Sequence, residues 1–103
     1  MIIIEKNEGK KVAYEVTGNK ITFGDDEITL NLAKYERDEE VQVDICRNDE
    51  NILIAGPSTF FVANVIIPAR KYTEEHEPVP FSMENVTLVL WALIDRVDDR
   101  EED

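Results

Sequence analysis

SMENVTLVLWALIDRV, residues 82–97, can be read in two incompatible ways, and the choice sets the fold class. As a helix, Ser82 would cap it, and Val86, Val89, Leu90, Leu93, Ile94 and Val97 would form one apolar stripe. As a strand, Val86, Leu88, Leu90, Ala92 and Ile94 share one face, opposite Thr87, Val89, Trp91 and Leu93. Residues up to Trp91 are rich in β-branched and aromatic side chains, which suit a pleated surface. We read a strand. A C-terminal helix over 83–97, giving an α+β domain, is the alternative.

The rest of the chain argues the same way, because short apolar–polar alternations recur between turn-forming clusters. Residues 1–6 (MIIIEK) lead into the turn NEG, and Val12, Tyr14 and Val16 share a face. After TGN come Ile21 and Phe23 in phase, and after GDD come Ile28, Leu30 and Leu32, so residues 1–35 read as a meander of short hairpins. Val41, Val43 and Ile45 point inward from the next strand. The segment FFVANVIIPARKY, 60–72, is apolar on both faces: Phe61, Ala63, Val65 and Ile67 on one, Phe60, Val62 and Ile66 on the other. Such a strand belongs in the middle of a structure, covered on both sides, and Pro68 should bulge it or end it. The expected architecture is all-β: one domain over 1–95, a small antiparallel sandwich or barrel of seven to eight short strands. An acidic tail over 96–103 is expected to be disordered, since like charges with nothing apolar to bury cannot offset ordering entropy.

The chain has 103 residues and a formal net charge of −12, from 23 acidic against 11 basic side chains. Such a surface repels phosphate backbones and anionic lipid, so nucleic-acid and membrane partners are not expected. The charge is unevenly spread. Residues 1–23 hold four Lys against three Glu and 51–73 hold two bases and no acid, whereas 24–50 and 74–103 each hold ten acids. No basic leader or apolar run approaching the ~18 residues of a membrane helix is present, and the single cysteine suits a reducing compartment. A cytoplasmic location is expected.

Few residues suit catalysis. His76, the only histidine, lies in TEEHEP, 73–78, where a strand would place Glu74 on its own side and Glu75 and Glu77 on the other. One His and one Cys fall short of a zinc set, so no metal or cofactor is expected, and a solvated His76 is the preferred reading. Ser58 and Ser82 lack the context of an activated nucleophile. Cys46 shares a face with Gln42 and Asp44, and a neighbouring carboxylate raises a thiol pKa. GDDE and NDEN lack the register of a calcium loop, the four glycines are scattered, and no catalytic residue is assigned.

Two surfaces remain as candidates. One is an acidic ridge of Asp25, Asp26, Glu27, Glu36, Asp38, Glu39 and Glu40, able to steer a basic partner. The other is an apolar interface around Phe60, Trp91 and Leu93. The expected function is a non-enzymatic protein-binding or structural accessory module that uses strand edges, the apolar patch or the ridge, with a protein partner or a second copy. The alternatives are an acidic inhibitor or immunity-type protein for a basic partner, and a small-ligand-binding or enzymatic β-barrel using His76 and carboxylates.

Overall fold

The computed structural model describes residues 1–50, 52–58 and 60–93. Among the described residues, eight strands form two sheets. They are β1 (Ile2–Glu5), β2 (Tyr14–Thr17), β3 (Lys20–Phe23), β4 (Ile28–Asn31), β5 (Val41–Arg47), β6 (Leu53–Ala55), β7 (Phe60–Ile67) and β8 (Thr87–Leu90). One sheet has the order β1-β8-β7-β5-β6 and the other β2-β3-β4. The all-β class holds, and no helix among the described residues is long and apolar enough to cross a membrane.

The segment that decided the class divides. Ser82 does act as a cap, its hydroxyl accepting from Glu84 N at 3.3 Å, but the turn it starts is a short 3₁₀ helix, Met83–Asn85. Val86 returns to an extended backbone, and β8 follows. The strand wins because both of its faces are occupied. Leu88 and Leu90 enter the core opposite Val65 and Ala63, while Val89 is buried on the other face opposite Asn64. A helix would have turned half of these side chains away from β7. The part of the helical alternative beyond 93, and the tail over 96–103, lie outside the described residues.

The small sheet closes one face of the large one. Ile21 and Phe23 of β3 and Leu30 of β4 pack against Ile45, Ala63, Val65, Ile67, Leu88 and Leu90 in one buried cluster. The opposite face of the small sheet is polar, with Thr22 and Thr29 joined through their hydroxyls at 2.9 Å. Tyr14 and Val16 lie in the core-facing rows, opposite Phe23 and Ile21, yet both are exposed, because β2 is the outlying edge of its sheet.

Two features depart from the expected meander. β1 pairs parallel to β8, not with β2, and residues 7–10 run on past the end of β8. There Asn7 Oδ1 accepts from Ala92 N at 2.7 Å and Lys10 O accepts from Leu93 N at 2.7 Å. NEG is thus part of a crossing between sheets and not a hairpin turn. Gly9, at φ +131°, is needed because a Cβ there would lie 2.9 Å from that of Ala92. The second departure is a bulge. The β5–β7 register shifts between Ile45 and Cys46, which pair with Ala63 and Phe61 and leave Val62 as the extra residue. Val62 and Ala63 both enter the core, and Phe61 is turned to the other face. β7 ends at Ile67, directly before Pro68.

Leu88, fully buried at the centre of β8, tests this assignment. Leu88→Ala should lower unfolding stability by about 2–5 kcal/mol in urea denaturation. A loss below about 0.5 kcal/mol, the scale of an exposed position, would refute the packing described.

Candidate functional site

β7 is the central strand of five and is apolar on both sides, as expected, but the small sheet covers only one of its faces. The registers define the other, outer face. Ile2, Thr87, Ile66 and Gln42 form one cross-strand row, and Ile4, Val89, Asn64 and Asp44 form the next. Beyond them lie Phe61, opposite Cys46, and Trp91, whose backbone N donates to Val62 O at 3.1 Å. Ile2, Ile4 and Phe61 remain 53%, 44% and 47% exposed, far more than a packed sheet face allows. Val89, Cys46 and Asn64 are buried yet stand apart from the inter-sheet core.

A chain of hydrogen bonds crosses this face. Trp91 Nε1 donates to Asn64 Oδ1 at 2.6 Å, Asn64 Nδ2 donates to Asp44 Oδ1 at 2.8 Å, and Gln42 Nε2 donates to the same oxygen at 2.9 Å. The indole is further fixed by Phe61, with ring centroids 6.3 Å apart, and by Lys6 Nζ, 5.9 Å from the ring centroid. Trp91 is therefore a half-buried ring held by its polar edge, with its orientation set by contacts within the chain. Of the expected apolar interface, Trp91 lies on this face, Phe60 is half-buried at the start of β7, and Leu93 packs against the inter-sheet core. Phe61 takes the place beside Trp91 that Phe60 was expected to hold. Strict alternation puts Phe61 on the core face, and only the bulge turns it outward.

Cys46 is fully buried on this face. Burial pushes its thiol pKa up and the Asp44 charge adds to the rise, while a backbone hydrogen bond at Ser58 opposes both. The expected effect of Asp44 is present, but desolvation is the larger cause.

The acidic ridge is not continuous. Asp25, Asp26 and Glu27 form the β3–β4 turn, with Asp26 at φ 61°, whereas Glu36, Asp38, Glu39 and Glu40 follow the far end of β4 and a short 3₁₀ helix, Leu32–Tyr35. The second group is partly neutralised. Arg70 reaches Glu36 at 3.4 Å and Asp38 at 3.3 Å, and Tyr72 Oη donates to Asp38 at 2.6 Å. Those contacts fasten an exposed arm, residues 71–80, which is joined across its base by the Tyr72–Pro78 bridge. His76 sits in the turn at its tip at φ 66°, and its N donates to Thr73 O at 2.9 Å. It is solvated, on a turn and not on the strand face expected from sequence. A shallow depression at the base of the arm, lined by Glu36, Pro68, Lys71, Val79 and Phe81 among others, does not include it. Among the described residues, no group of three His, Cys, Asp or Glu side chains is arranged to hold a metal.

No family model, curated protein or solved structure matches the chain.

Two outcomes check this geometry. Asn64→Ala would leave Trp91 Nε1 without its acceptor and Asp44 with Gln42 in place of two donors, and should cost about 1–3 kcal/mol, with a red shift in the emission of the only tryptophan. Unchanged emission would refute the fixed indole. The raised Cys46 pKa gives a second outcome. Below the unfolded thiol pKa of about 8.5 both states hold the proton. Above it the unfolded chain ionises while the native thiol does not, so this contribution to stability falls as pH rises towards the native pKa. Cys46→Ala should therefore lose less stability between pH 7 and pH 10 than the parent in urea denaturation. Equal losses would refute the shift.

Proposed function

We propose that the chain is a non-enzymatic protein-interaction module that binds through the outer face of its five-stranded sheet. The observation that carries the reading is a central strand apolar on both sides and covered on one, with exposed Phe61 and a pre-oriented Trp91 on the open side. Fixed aromatic rings among aliphatic neighbours are the usual anchors of protein interfaces, since burying them gains area without ordering flexible chains. The partner inferred is a protein surface with an apolar centre and a neutral-to-basic margin. A net charge of −12 and the carboxylate of Asp44 beside the patch disfavour an acidic partner, and nucleic acid with it. A reducing, cytoplasmic setting suits the free, buried Cys46.

The acidic-inhibitor reading receives less support, because its carboxylates fall into two groups and Arg70 engages two of them. The enzymatic reading receives less as well, since its histidine stands on an arm tip outside the depression.

The test is capture of partners by the tagged chain at low and moderate salt. A protein held at moderate salt by the parent and by a variant reversed at Asp38, Glu39 and Glu40, but weakened at least about tenfold by Phe61→Asp or Ile4→Asp, is the expected result. Equal retention by the Phe61 and Ile4 variants would overturn the reading. Loss on reversing the acids would transfer it to the ridge.

A further inference from the structure

The large sheet has two edges of different character. β6 has three residues and is followed directly by Gly56 and Pro57, the kind of short edge that resists pairing. β1 is four residues, Ile-Ile-Ile-Glu, all exposed. Its bonds to β8 come from alternate residues: Ile2 N donates to Val86 O at 2.8 Å and Lys6 N to Leu90 O at 2.9 Å. In this parallel register Ile3 and Glu5 therefore turn their N–H and C=O groups to the open edge. The three isoleucines carry none of the usual guards, whether a proline, a bulge or an inward-pointing charge.

We propose that β1 is the seam of a homodimer, in which the β1 strands of two copies pair antiparallel about a two-fold axis through Ile3. The pairing joins two five-stranded sheets into one of ten. Ile3 meets Ile3 of the second copy and exchanges both N–H···O bonds with it, and Ile2 meets Ile4 of the second copy on the outer face. Every isoleucine then opposes an isoleucine, a self-complementarity that a two-fold interface requires.

Charge favours a second copy at this edge and at few other places on the molecule. Two chains of −12 repel, but the acids are concentrated in 24–50 and 74–103, and residues 1–23 hold four Lys against three Glu. The one acid of the strand, Glu5, lies 3.6 Å from Lys11 Nζ. The seam also continues the open face, bringing Ile2 and Ile4 of both copies into one apolar band. It goes beyond the proposed function and stands or falls separately: the seam is read on purified chain alone, the face by retention of another protein.

Sedimentation velocity of the purified full chain from micromolar to millimolar concentration should show a reversible dimer. Over the same range the exchange rate of the Ile3 amide should fall as dimer forms. Ile3→Pro removes an N–H that points away from β8 and bonds no described residue, so the variant should melt close to the parent while its dissociation constant rises at least about tenfold. If the proline variant does not fold, Ile3→Lys decides, since it sets like charges against each other across the axis. A parent that stays monomeric throughout, an Ile3 amide insensitive to concentration, or a dimer undiminished in the folded variant would each overturn the proposal.

Discussion

The pairing of Val41–Arg47 with Phe60–Ile67 is the contact on which the other elements depend. β7 has β5 on one side and β8 on the other, so the large sheet is built outward from it. The bulge within this pairing sets what each face contains. By sending Val62 and Ala63 to the same side it puts both in the core with Ile45, and by turning Phe61 over it places an aromatic ring on the side that the small sheet does not reach. One inserted residue thus fixes both the interior and the exposed surface.

The outer face is neither a plain apolar sheet nor a polar one. Val89 and Cys46 are buried there, while Asp44, Asn64 and Gln42 hold a line of hydrogen bonds that ends at the indole of Trp91. A buried amide with both ends satisfied is inexpensive and directional, and it gives the face an orientation that methyl groups alone would not supply. The acids of the expected ridge, and those of residues 74–77, are elsewhere. Asp25, Asp26 and Glu27 occupy a turn, Glu36, Asp38, Glu39 and Glu40 a connector clamped by Arg70, and Glu74, Glu75 and Glu77 the exposed arm.

What could be read from the sequence was local. Ile21 with Phe23, and Leu30 with Leu32, alternate within a few positions, and all four are buried as that alternation requires. Thr87–Leu90 could be read as a strand from side-chain type, even though the capping signal at Ser82 is genuine and spends itself on a single turn. The parallel pairing of β1 could not be read, because an isolated run of isoleucines does not specify its neighbour and hairpin pairing with the next strand is the ordinary expectation. The bulge was hidden for a different reason: where both faces of a strand are apolar, a slip of phase leaves no mark in the pattern. Arg70 and Tyr72 lie more than 30 positions from the acids they engage, so the broken ridge could not be seen in a run of charges.

The same parallel pairing bears on the order in which the protein can be assembled during translation. β2, β3 and β4 are consecutive and joined by tight turns, so the small sheet can form as soon as residue 31 has left the ribosome. Its apolar side then has no surface to lie on, since β5, β7 and β8 are still to come. β1 waits longest: Asn7 and Ala92, bonded just beyond its end, are 85 positions apart. A nascent chain shorter than this carries an unroofed core and a bare isoleucine edge together, and β8 is the element that closes both.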